Sequence, residues 1–337
     1  MKAIRFCSIM LGLLLASAAQ ADVVINEETF PDEAFRSMIT SLPEGKDGVL
    51  TDEEINSITN LTISSSQPKP TNLKGIEYLK DLKVLDCWYC FLLTELDLSA
   101  NTALEFVRME FVLLESLNVS GLSSLRHLLC HNSFLSKLDV STCSSLQYLS
   151  VLDGCLIELD LSNNINLKEV YLWNNQLSTL DLSNNINLEK IDCSYNQLTS
   201  LILPQSETLK DVKCCANHLY GESMDQLVAS LPTVSKGDFY PYIEIADADD
   251  EGPQTEFNVC TTSQVGTAKS KNWAVYGIYH VGGNYWEEYA GSNPTSISNL
   301  TRQEPSAERY SLDGRRLDSQ PTNKGIYIQN RKKVVMK

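Results

Sequence analysis

Residues 188–201 read Leu-Glu-Lys-Ile-Asp-Cys-Ser-Tyr-Asn-Gln-Leu-Thr-Ser-Leu. Counted from Leu188, the apolar residues Ile191, Cys193, Leu198 and Leu201 stand at offsets 3, 5, 10 and 13, and Leu203 follows at 15. The unit before repeats the spacing with Leu167, Val170, Leu172, Leu177, Leu180 and Leu182. Leu104, Leu125, Leu146, Leu167, Leu188 and Leu209 lie 21 residues apart, and Leu82 opens the series 22 residues earlier because the first unit is one residue longer. Self-similarity at such a fixed period is the mark of a solenoid. One unit cannot bury its apolar face alone, so the units must stack and share a core.

The spacing L-x-x-L-x-L-x-x-N-x-L is that of a leucine-rich repeat. It predicts a right-handed parallel β superhelix with one strand per coil. So short a unit leaves little room for helix on the convex side, which should be extended or in short helical turns. The expected organisation is a signal peptide (1–21), a small helical N-terminal cap (22–57), repeats (58–220), an α/β C-terminal cap (221–291), a Ser/Pro/Asn linker (292–307) and a small β tail (308–337).

Lys2 and Arg5, an apolar run and Ala19-Gln20-Ala21 make the leader. With that leader removed, the reading expects an exported protein, extracellular or at the cell surface, with the periplasm an alternative, and with no segment inserted in a membrane. Its loss takes the net charge from −16 to −18, and the basic tail from Glu308 contributes +5, so residues 22–307 carry −23. An acidic body argues against nucleic acid and anionic lipid, both of which require phosphate neutralisation.

Nine cysteines remain after the leader, an odd number. Cys87, Cys130, Cys193 and Cys214 all fall at offset 5, an inward strand position where cysteine serves as a small hydrophobe. Cys87-Trp88-Tyr89-Cys90 has redox spacing, but its cysteines fall on core offsets 5 and 8 and lack the turn into a helix that the redox motif needs. In the N-terminal cap, Pro31 suits the first position of a helix carrying Phe35, Met38, Ile39 and Leu42, and Thr51-x-x-Glu54 is a capping box for a second. Asp47, Gly48 and Glu54 match part of a calcium loop, yet Pro43 and Gly45 occupy the places of two anionic ligands. Asp47 and Glu54 are thus weak calcium candidates, and no other cofactor is expected. Asp247–Gly252 is a second acidic turn, lacking a glutamate where Asn258 stands. Offset 8, the place of the turn asparagine, holds Asn only in the last three units, at Asn175, Asn196 and Asn217.

The repeats resemble those of secreted bacterial proteins of the internalin type, with Leu188–Leu201 matching the cysteine-containing variant outright. Ile25-Asn26-Glu27-Glu28-Thr29-Phe30-Pro31-Asp32 followed by Asp47-Gly48 resembles the cap of leucine-rich proteins from Bacteroidetes-type bacteria. Tyr310-x-Leu312-x-Gly314-Arg315-Arg316 with Lys324-Gly325-Ile326-Tyr327-Ile328 is similar to their C-terminal sorting tails, though shorter. The resemblance implies an exported interaction protein and supplies no catalytic residues.

With offsets 3 and 5 inward, offsets 2, 4 and 6 face the concave surface. This places Trp88, Phe106, Arg108, His127, His131, Tyr148, Tyr171, Trp173 and Asp192 on one face, together with Ser150, Ser194, Lys213 and Cys215. Clustered exposed aromatics are typical of recognition surfaces, while the competing reading is that they pack sideways along the ladder. His127 and His131 lie too far apart on a strand to share a metal ion, and His218 and His280 show no partner. The chain contains no G-x-S-x-G, H-E-x-x-H or phosphate-binding glycine loop. The leading expectation is therefore a monomeric, non-enzymatic binding protein that holds a protein or glycan ligand on its concave face, in adhesion for example. The alternatives are a structural component of the cell envelope and, distantly, a glycan hydrolase for which Glu110 and Asp192 would be the first residues to test.

Overall fold

The computed structural model describes residues 22–64, 69–244, 256–280 and 284–292, together with the backbone of three short strands between 309 and 336. The leader, the acidic turn at 247–252, nearly all of the linker and the turn at 312–315 lie outside the described residues.

Each repeat contributes one short strand, and these stack side by side in chain order as a parallel sheet. Asn60–Ile63, Val84–Trp88, Phe106–Glu110, His127–His131, Tyr148–Ser150, Glu169–Tyr171, Lys190–Asp192 and Asp211–Lys213 make its first eight strands. The register never slips between them: Phe106, His127, Tyr148, Glu169, Lys190 and Asp211 stand directly beside one another. Burial alternates along the strands as the pleat requires, with Val107 and Met109 inward and Phe106, Arg108 and Glu110 outward, except in Tyr148–Ser150, where Ser150 is buried as well. The inward leucines, valines and cysteines form one continuous core from Val23 to Tyr289. On the return path the backbone is extended, and Glu95–Asp97 pairs with Ser116–Asn118 and Thr179–Asp181 with Ser200–Ile202.

Polar ladders hold the turns. Asn196 donates from Nδ2 to the carbonyls of Leu172 (2.9 Å) and Cys193 (3.1 Å) and accepts from the Leu177 N–H (3.0 Å). Asn175 and Asn217 repeat this arrangement. Gly154 occupies the rung below Asn175 because a Cβ there would lie 2.5 Å from the Asn175 Oδ1. The ladder does not stop at the third asparagine. Asn258 bonds Cys214 O (2.7 Å) and Pro241 O (2.8 Å) and accepts from Leu219 N–H (2.9 Å), so it is a fourth rung reached from 41 residues further along the chain. A second ladder, invisible to the leucine spacing, lies on the return side, where Asn101, Asn164 and Asn185 each donate to two carbonyls of the coil before.

The sheet crosses the expected boundary at 220/221 without a break. Helices α3 (Glu222–Ser230) and α4 (Thr262–Ser270) take the return path, and strands Gly237–Glu244 and Trp273–His280 continue the parallel sheet. Antiparallel Asn284–Glu288 closes it as the eleventh strand. Trp273 is fully buried here and donates to Pro232 O (2.8 Å).

At the other end, α1 (Glu33–Ser41) and α2 (Asp52–Ser57) cover the first coil. Pro31 is not the first helical residue. Asp32 is the N-cap, accepting from Phe35 N–H (2.8 Å), and its second oxygen accepts from the backbone and hydroxyl of Thr71. The Thr51 capping box forms, which engages the Glu54 carboxylate, and Asp47 accepts from Val49 N–H (3.0 Å). Among the described residues, no three His, Cys, Asp or Glu side chains are grouped to hold a metal ion.

Candidate ligand-binding face

Most outward residues of the sheet are neither free nor buried. They lean on their neighbours and leave part of each ring or charge at the surface. Phe106, His127, Tyr148 and Tyr171 form a ladder with ring centroids 5.9, 5.9 and 5.5 Å apart, and Trp173 meets Tyr195 edge-on at 5.4 Å. The sideways packing of the competing reading is present, and it leaves the rings partly exposed.

The charges are fixed as firmly. Arg108 makes two bonds to Asp86 (2.8 and 2.6 Å) while its guanidinium lies 4.1 Å above the Trp88 ring, and the Trp88 indole N–H donates to the same Asp86. The bond to Asp86 holds the Arg108 guanidinium more firmly protonated than usual. Tyr171 donates to Glu169 (2.7 Å), which also receives Lys190 (3.0 Å). Burial first and this bond second push the Tyr171 phenol above its ordinary range. His131 Nε2 is 2.8 Å from Ser150 Oγ, its Nδ1 is 3.8 Å from Glu110, and burial lowers its pKa despite that carboxylate. Asp192 is raised by burial, and the N–H of Ser194 (3.1 Å) opposes the rise.

Three residues assigned to the open face are covered. Ser150, Ser194 and Cys215 are at most 3% exposed. Cys215 is enclosed by Ala216, Ile243 and Tyr195 and lies 3.3 Å from Ser194 Oγ. For Cys215 the cause is a shift of register between Phe239 and Tyr242, which turns Ile243 to the outer side of the sheet, whereas Ser150 lies four strands away, against His131. His218, which showed no partner in the sequence, meets the Phe257 ring edge-on at 4.9 Å. Tyr240, Tyr276 and Trp286 were missed as members of this face. Tyr240 stacks on Tyr276 at 5.2 Å and meets Trp286 at 4.6 Å, with Lys213 within 5.5 Å of Tyr240 and 5.2 Å of Trp286. The only signal that could have found them was continuation of the sheet past the last repeat.

The two carboxylates singled out for hydrolysis do not meet on this face. Glu110 and Asp192 lie four strands apart, roughly 19 Å, whereas glycosidase carboxylates stand about 5–10 Å apart. None of the nine described cysteines forms a disulfide, and eight are buried. Burial raises the thiols of Cys130 and Cys260 to about 12 and that of Cys143 to about 11, so none of the three is a thiolate near neutral pH.

Comparison with known proteins agrees with the geometry. The functional domain of InlJ from Listeria monocytogenes, described as including a cysteine ladder, superposes with a TM-score of 0.53 at 26% identity. The fold is a leucine-rich repeat solenoid. The match covers 68% of this chain and 54% of the InlJ domain, so the chain spans about half of that domain's length. The leucine-rich repeat domain of APL1B aligns over 57% of this chain and 61% of its own, at 18% identity and a TM-score of 0.44. An InlF internalin from the same Listeria species aligns over 67% of this chain and 92% of its own, at 16% identity and a TM-score of 0.33. No family model matches the sequence, and no curated protein matches it. The fold is one commonly used for protein binding. Among the described residues, no helix is long and apolar enough to cross a membrane.

Proposed function

We propose that the protein is an exported, non-enzymatic binding protein that holds a protein ligand on the outer face of its long sheet. The observation carrying this reading is the ladder Phe106–His127–Tyr148–Tyr171, flanked by Trp88–Arg108 and Trp173. It presents partly exposed aromatic and arginine side chains, the types that dominate interface hot spots. They are already held in place by their neighbours, so little side-chain entropy is lost when a ligand docks. The leader-like residues 1–21 and the sorting-like tail support export and surface display.

The test replaces Trp88, Tyr171 and Trp173 together by alanine and measures capture of the protein by intact cells carrying its ligand. The expected result is loss of capture while the thermal unfolding transition remains cooperative. Capture equal to that of the unaltered chain would remove this face from the function.

A further inference from the structure

Past the aromatic ladder, the same face contains a shallow recess of about 300 Å³ lined by Lys190, Lys210, Asp211, Lys236 and Asp238. Asp211 and Asp238 are directly paired across adjacent parallel strands. Two residues further along those strands, on the same side of the pleat, stand Lys213 and Tyr240, about 7 Å away. Tyr240 carries the cluster with Tyr276 and Trp286, whose indole is 46% exposed. One side of the recess therefore continues into a wall of aromatic rings.

We propose that this end of the face is a saccharide site for a neutral oligosaccharide, the sugar ring lying against Trp286 and Tyr240 with its hydroxyls directed to Asp238 and Asp211. Three observations select that chemistry. The first is an unmet acceptor: the half-buried Asp238 lines the recess and its enclosed Oδ1 accepts no hydrogen bond, a costly state that a turn of the carboxylate toward a ligand hydroxyl would relieve. The second is charge. Lys190 and Lys210 are paired with Glu169 (3.0 Å) and Glu189 (2.5 Å), which leaves Lys236 with Asp211 and Asp238 in the lining and Lys213 at its rim, over the Tyr240 and Trp286 rings. The recess is locally balanced within a body of −23, so it favours neither a polyanion nor a polycation. The third is shape. An exposed indole beside paired carboxylates and ammonium groups offers an apolar face and alternating acceptors and donors, which match the C–H face and the hydroxyls of a pyranose. The recess has the volume of the smallest ligand pockets, enough for one or two sugar rings.

None of these residues belongs to the aromatic ladder, so this site and the proposed protein-binding face can fail separately. The test titrates the full chain with neutral gluco-, manno- and galacto-oligosaccharides by calorimetry, beside Trp286→Ala, Trp286→Phe, Asp238→Ala and Trp88→Ala. At least one sugar series should bind, and Trp286→Ala and Asp238→Ala should each weaken it by about tenfold or more, as removal of a hot-spot side chain does. Trp286→Phe should retain most of the affinity, and Trp88→Ala all of it. If Trp286→Ala does not fold, Asp238→Ala alone decides. Absence of binding by the folded chain at millimolar sugar, affinity unchanged by Asp238→Ala, or binding of a charged peptide in the recess in place of sugar would each overturn the proposal.

Discussion

Asn258 and Glu256 show how single residues close a repeating structure that has no next repeat. In the coils before the last, the residue at offset 7 donates its N–H to a carbonyl one coil on, as Asn174 does to Ser194 O (3.1 Å) and Tyr195 to Cys215 O (3.0 Å). Ala216 is the last in this series, and the Glu256 carboxylate takes the place of the missing carbonyl. It accepts from Ala216 and Ile243 N–H at 2.9 Å each, and from Asn258 N–H at 2.7 Å. Replacing Asn258 by alanine should cost about 3 kcal/mol in urea unfolding, comparable to Asn196→Ala, because each strands at least two carbonyls and an N–H. A cost near zero would show that Asn258 is not a rung.

Burial pushes the Glu256 carboxyl up to about 8 against the opposing pull of its backbone donors. A folded-state pKa raised above the unfolded value gives stability that is fully present below the unfolded value, near 4.5, and lost as pH rises through about 8. Asp192 and Asp211 are shifted in the same direction. Stability should therefore fall between pH 5 and pH 8, and Glu256→Gln should flatten that slope in thermal melts. An unchanged slope would count against a protonated Glu256. Neither residue was legible in the sequence. Each reaches back about 40 residues to the last coil, outside the 21-residue period, and Asn258 had read as the end of an acidic loop.

At the scale of elements, the leucine columns gave strand positions, inward offsets and register, because a period-2 strand with one buried face allows only one register. They also gave the correct account of the cysteines at offset 5. Sequence parity failed where the backbone departs from the repeat, at the shift between Phe239 and Tyr242 that buries Cys215. Two expectations follow from the packing. In the native protein a water-soluble thiol reagent should modify Cys155, the one described cysteine that is partly exposed, and reach the other eight only on unfolding. Reductant should leave the melting temperature unchanged, whereas a fall would reveal a stabilising disulfide. Ending the chain at Ser235 should bare the edge of Asp211–Lys213 and the apolar residues beneath it. That truncation should lower the melting temperature by about 10 °C or more and promote aggregation, as observed by light scattering. An unchanged melt would make the last three strands a separate unit.

For the whole molecule, fold was far more legible than site. Stacking is dictated by residues that recur, while recognition is carried by residues that differ from coil to coil. Trp88, Tyr148 and Trp173 could be placed on the outer face by counting, but their mutual packing and the lock between Arg108 and Asp86 could not. The central claim is that the outer face of the sheet is where a protein ligand docks, and photo-crosslinking tests it most directly. A photoreactive amino acid is placed at Trp173 on that face or, as control, at Ile186, which is 57% exposed on the return side, and each protein is irradiated on ligand-bearing cells. The account expects a discrete crosslinked partner from position 173 and none from 186. A partner captured from 186 and not from 173 would contradict it.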